Sequence, residues 1–139
     1  MNSLKFIFIF FGLSFFVNAY AKDFSSIPDI DDIDSVYTLV EQMPTFPGGD
    51  KEFHKFIAKN LKYPPIYQDA SISGKIVVSF IVRRDGSISD IQVFRSLEKY
   101  IDEEAIRVVS IMPRWNPGYH QGKPVSVKIY LPIHVDFNR

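Results

Sequence analysis

The residues able to do chemistry come in four groups. Asp29, Asp31, Asp32 and Asp34 alternate with apolar residues in PDIDDID. A calcium loop needs oxygen ligands at its first, third and fifth positions, a glycine at the sixth and a glutamate at the twelfth. Counted from Asp29, those last three places hold Ile33, Asp34 and Val40, so the stretch reads as a solvated acidic linker. Asp102, Glu103 and Glu104 could serve as acid–base catalysts. They stand where an apolar stripe begins, however, and carboxylates there complement the positive end of a helix dipole. His54, His120 and His134 are scattered, with no two at metal-ligand spacing, and His54 reads as a partly exposed filler. Trp115, near Pro117 and Tyr119, could grip a peptide or a sugar. The reading preferred is a tryptophan that plugs the end of the core.

No nucleophile elbow, phosphate loop, zinc-protease pair or dinucleotide fingerprint is present in the sequence. The expectation is a protein that is not an enzyme and carries no cofactor and no metal. Absence of cysteine removes disulfides, thiolate nucleophiles and thiolate metal sites. With 46% hydrophobic residues the chain has the composition of a folded protein, and its 139 residues allow one domain. Its formal net charge of 0 gives no electrostatic footprint for nucleic acid.

The elements that must position these residues follow from periodicity. Pro44 and Pro47 oppose helix, Gly48-Gly49 permits a reversal, and Gly49 or Asp50 can cap a helix running to about Asn60. Phe53, Phe56, Ile57 and Leu61 form its apolar stripe, and Tyr63-Pro64-Pro65 stops it. Gly74 to Ser96 reads as a hairpin. Ile76, Val78, Phe80 and Val82 share one face of its first strand, and Arg84-Asp85-Gly86-Ser87 makes the turn. A second helix is predicted from an N-cap at Asp102, with Ile101, Ala105, Val108, Val109 and Met112 apolar and Pro113 at its end. In the last strand Val125, Val127, Ile129, Leu131, Ile133 and Val135 fall on odd positions. The even positions carry Ser126, Lys128, Tyr130, Pro132, His134 and Asp136, the pattern of one buried and one wet face. Val36 to Val40 could add a short strand.

Pro132 lacks an N–H, so it belongs at an edge or a bulge. A right-handed crossover joins the second hairpin strand to the last strand through the second helix. The predicted fold is therefore α+β: two helices packed on a three-stranded sheet, α-β-β-α-β with strand order 2-1-3. The last strand is then an edge, as Pro132 independently suggests.

In this order the residues resemble the TonB C-terminal domain family, over roughly Glu41 to Phe137. The motifs are MPTFPGG at 43–49, Tyr63-Pro64, the strand starting at Gly74, Asp85-Gly86-Ser87 and Asp102-Glu103-Glu104-Ala105. Met112-Pro113-x-Trp115-x-Pro117-Gly118, Gly122-Lys123-Pro124-Val125 and Leu131-Pro132-Ile133 complete them. One departure is Tyr67, where the family usually has alanine. The resemblance implies a periplasmic module whose last strand pairs with the TonB-box peptide of an outer-membrane TonB-dependent transporter. The residues it points to are Val127, Lys128, Ile129 and Tyr130, as backbone donors and acceptors. Open edges also invite pairing between copies, so a homodimer is a further expectation.

The first residues carry Lys5, an apolar run from Phe6 to Val17 and Ala19-Tyr20-Ala21. That is the build of an exported protein's signal peptide. The expected division is a signal peptide at 1–21, an acidic flexible lead-in at 22–40 and the domain at 41–139. If residues 6–17 stay in the inner membrane instead, the chain reads as a short energy transducer. Its lead-in then reaches at most about 70 Å.

Overall fold

The structure is a computed structural model and describes residues 35–63, 65–67 and 71–137. The expected signal peptide and all four aspartates of the acidic run lie outside the described residues. The described elements are β1 (Val36–Tyr37), α1 (Asp50–Asn60), a 3-10 turn (Pro65–Tyr67), β2 (Ile72–Val82) and β3 (Ile88–Arg95). They continue with α2 (Lys99–Ser110), β4 (Gly118–His120) and β5 (Lys123–Phe137).

The sheet order is β1-β5-β2-β3, with β4 added to β5. Its centre keeps the predicted sequence of second hairpin strand, first hairpin strand, last strand. The sheet has five strands rather than the three expected, and both additions have local causes. β1 comes from the VYTLV run but is only two residues long, too short to show a period. β4 lies inside what reads as a turn: Gln121 and Gly122 both take positive φ (51° and 74°), which folds Gly118–His120 back on Lys123–Val125.

Alternation along β2 and β5 builds the core. Ile76, Val78, Phe80 and Val82 have no solvent exposure, and Ile133 and Val135 are buried beside them, while Val125 and Val127 are buried in a second cluster with Val40. α2 covers this face with Ile101, Ala105, Val108 and Val109, all buried. This helix starts about one turn earlier than the spacing predicts. Glu98 is the N-cap, accepting from the Tyr100 N–H at 2.9 Å, and Asp102 sits inside the first turn. Asp102 instead reaches back to accept from the Leu97 N–H at 3.0 Å and from the Ser96 hydroxyl. The departure at Tyr67 has a role here. Its ring packs edge-on against Tyr63 and Tyr100, and its hydroxyl bonds to the capping Glu98. Burial and that carboxylate push the Tyr67 hydroxyl up to about 12, while the same bond holds Glu98 below the usual carboxylate range.

Trp115 closes one end of the core, edge-on to Phe80 at 5.4 Å and to Phe46 at 5.8 Å. Its backbone N–H donates to the Gly86 carbonyl at 2.9 Å, docking the tip of the β2–β3 hairpin. Gly86 has φ of 83°, and a Cβ there would stand 2.1 Å from the Trp115 carbonyl oxygen. Opposite, Arg107 donates to Glu104 at 2.6 Å and to the Asn60 carbonyl at 2.6 Å, and the Lys62 N–H donates to Glu104 at 2.8 Å. Glu104 and Arg107 thereby fasten the end of α1 to α2.

Two predictions follow from these fastenings. Gly86→Ala combines a positive φ with a backbone clash and should destabilise by more than about 1 kcal/mol, read as a fall in Tm of at least ~4 °C. The Glu104 carboxyl is held below its ordinary range, first by the Arg107 bond, and its side chain is 14% exposed. The stability this adds is complete above the unfolded glutamate value of about 4.3 and fades as pH falls through the folded value. Glu104→Gln should therefore cost about 1–2 kcal/mol at pH 7 in chemical denaturation, and the gap from the parent should narrow progressively as pH falls below about 4.3.

Candidate functional site

The first strand of the hairpin, β2, pairs with β5 without a register break, from Val82 opposite Val127 to Ile72 opposite Phe137. On the far side of β5, β1 runs parallel beside Ser126 and Val127 and then leaves. Past Val127 no other strand among the described residues pairs with that side. The last strand is thus not the outermost strand of the sheet, as predicted, because β1 lies outside its first part. Its later part is an edge.

Which backbone groups face outward follows from the ladder. The Arg83 N–H donates to Ser87 at 2.8 Å, toward β3. Backbone direction alternates along a strand, so Val77 and Ser79 also face β3, whereas Ile76, Val78 and Phe80 face β5. Val77 lies opposite Pro132, and in an antiparallel pair both partners face toward or away from each other. Pro132 therefore turns its nitrogen away from β2, and the missing N–H costs no ladder bond. In the same phase Tyr130, His134 and Asp136 direct their backbone groups to the open side. Of the four residues singled out from sequence, Lys128 and Tyr130 turn outward. Val127 and Ile129 face β2, and Val127 is also flanked by Tyr37 of β1.

The segment that covers the start of β5 is held by its own contacts. Gln42 and Tyr119 exchange backbone bonds of 3.1 and 2.9 Å, and so do Thr45 and Asn116. Val40 is buried against Val125 and Val127. His120 packs against Tyr37 with tilted rings 5.3 Å apart, and its Nδ1 lies 3.8 Å from the Glu41 carboxylate.

Side chains frame the open edge on both faces. On the helix-free face Tyr130 meets Phe94 edge-on at 4.8 Å, and the Lys128 ammonium sits 5.7 Å from the Tyr130 ring centre. Phe94 is 67% exposed because β3 carries an extra residue there, opposite the step from Val77 to Val78. Such a bulge re-aims a side chain. On the helix side, α1 has no buried residue although it is amphipathic. Phe46 packs on Phe53 and Phe56 at 5.6 and 5.5 Å, which leaves Ile57 and Leu61 bordering a cavity of about 350 Å³. The other wall is β5 from Pro132 to Phe137, and no residue of β2 lines it. The cavity therefore opens along the free side of β5.

Sequence reasoning did not find this groove. Its walls lie some seventy residues apart, and only Pro132 and the loosely covered stripe of α1 hinted at it. Among the described residues no group of three histidines, cysteines or carboxylates could hold a metal. What the site offers is a row of backbone hydrogen-bonding groups beside an apolar trough.

The family comparison adds to this geometry. Residues 59–138 match the family described as the Gram-negative bacterial TonB protein C-terminal. Among solved structures, the chain is similar to the NMR solution structure of the Helicobacter pylori TonB C-terminal domain. The identity is 26%, over 67% of this chain and 88% of that one, with a TM-score of 0.47. No curated protein gives a match.

Proposed function

As this chain belongs to the TonB C-terminal domain family, a family of non-enzymatic interaction modules, we propose that it captures an extended peptide as an added strand on the open side of β5. One observation carries the reading: beyond Val127, β5 presents a run of outward backbone groups with no strand beside them among the described residues. Unpaired edges are templates for strand addition, in which main-chain bonds supply affinity and flanking side chains supply selection. The added strand lies beside Tyr130 to Asp136, one register step past the stretch that β1 already occupies. Lys128 and Tyr130, two of the residues singled out from sequence, begin the run.

The partner we assign is the TonB box of an outer-membrane TonB-dependent transporter, and the compartment is the periplasm. Among the described residues no helix is long and apolar enough to cross a membrane. The expected anchor at residues 6–17 lies outside them. Retention of that segment distinguishes a membrane-held transducer from a free binding module.

Tyr130→Pro is the informative substitution. It removes one outward N–H and places a ring on the open side, while the bonds to β2 stay. The variant should keep its helical circular dichroism and lose at least about tenfold in affinity for a TonB-box peptide, measured by titration calorimetry. Undiminished binding would contradict the assignment of the edge. If no peptide shifts the β5 amides while the mass in solution rises with protein concentration, pairing between copies is the use of this edge.

A further inference from the structure

Both helices pack on one face of the sheet, so alternation leaves the other face free of them. Val77, Ser79 and Ile81 of β2 stand on that free face, because Ile76, Val78, Phe80 and Val82 fill the core. Register carries the face across to Arg95 of β3 and to Pro132, Tyr130 and Lys128 of β5. Such a face is ordinarily polar. Here Phe94 and Tyr130 are 67% and 46% exposed and meet edge-on at 4.8 Å, and Ser79, opposite Tyr130, is only 3% exposed. With the half-buried Val77 and Ile81, the two rings make an apolar centre.

Three cations bound this centre. The Lys128 ammonium lies 5.7 Å from the Tyr130 ring centre. Arg95 stands opposite Val77. Lys75, two residues along β2 on the same face, is its diagonal neighbour at about 7–8 Å. Lys75, Arg95 and Lys128 are in no ion pair among the described residues. The acids of this face are already engaged: Asp90 holds Arg83 at 2.8 Å, and Asp136 has an interaction of its own. Lys128 lies opposite Ile81, three side-chain steps along β2 from Lys75, which separates these two charges by about 20 Å along the strands.

We propose that this face docks an extended acidic segment of a partner protein. An apolar side chain rests on the Phe94–Tyr130 pair, one carboxylate meets Lys128, and others meet Arg95 and Lys75. Exposed aromatics and arginine are the residue types that anchor protein interfaces. The span between the charges takes about six extended residues, so the pattern recognised is acid, apolar, acid. Asp90 and Asp136 on the same face favour a segment that places its carboxylates at the cations. An anionic lipid surface presents negative charge everywhere and meets these two acids as well. The surface lies across all three long strands and does not rest on the edge-pairing reading.

The test uses the full chain and two synthetic decapeptides, each with a central leucine–tryptophan pair, flanked by glutamates in one and by lysines in the other. Calorimetry gives the affinities, and amide shifts show where each peptide sits. The glutamate peptide should bind about tenfold more tightly than the lysine peptide and shift Gln92, Phe94 and Arg95. Lys75→Glu with Arg95→Glu should reverse that order, and Phe94→Ser should weaken the glutamate peptide about fivefold. All three positions are exposed, so the helical circular dichroism should not change. Absence of a preference for the glutamate peptide, or a preference that the charge reversal leaves in place, overturns the proposal. Shifts confined to β5 overturn it too, since they report edge pairing alone. So does binding to anionic phospholipid vesicles with no peptide shift in β3.

Discussion

The unbroken antiparallel register between β2 and β5 is the constraint on which the rest of the structure depends. It puts Ile76, Val78, Phe80 and Val82 on the same face as Ile133 and Val135, which makes the core. The same register decides which half of β5's backbone is spent on β2 and which half is left over. A slip of one residue would move every side chain to the opposite face and turn Pro132's nitrogen into the ladder. Core and edge are thus two consequences of one alignment. Pro132 belongs where it stands because it tolerates only one of the two phases.

Around that ladder, small devices determine how much of the edge stays open. β1 covers two residues of β5 and is held there by Gln42, Thr45 and the buried Val40. The Glu104–Arg107 pair anchors the end of α1 to α2, which sets the wall of the groove. The irregularities of the sheet are confined to β3. There the bulge at Phe94 and a second near Asp90, with φ of 54°, leave the β2–β5 register untouched.

Much of the fold was legible in the sequence, because long elements repeat their periods often enough to be read. β5 shows its alternation over six odd positions, and α1 was bounded by Gly49 and by the prolines after Tyr63. The rest depends on contacts between distant residues. Asp102 was read as the cap because it opens an acidic run. Glu98 takes that place instead, accepting from the Tyr100 N–H, and Tyr67, thirty-one positions earlier, also bonds to it. β1 and β4 are too short to carry a period. The candidate site was half visible: Pro132 pointed to an edge. The phase of the ladder, which separates Lys128 and Tyr130 from Val127 and Ile129, needed the Arg83–Ser87 bond.

The central claim is that β5 has an open side that an extended peptide closes. Amide hydrogen exchange along β5 tests it most directly, with and without a TonB-box peptide. In the free chain the amides of Ile129, Ile133 and Val135 should be protected by β2, while those of Tyr130 and His134 exchange quickly. Peptide should slow Tyr130 and His134 and leave the odd positions unchanged. Equal protection of odd and even amides in the free monomer, or fast exchange at Tyr130 and His134 at saturating peptide, would contradict the account.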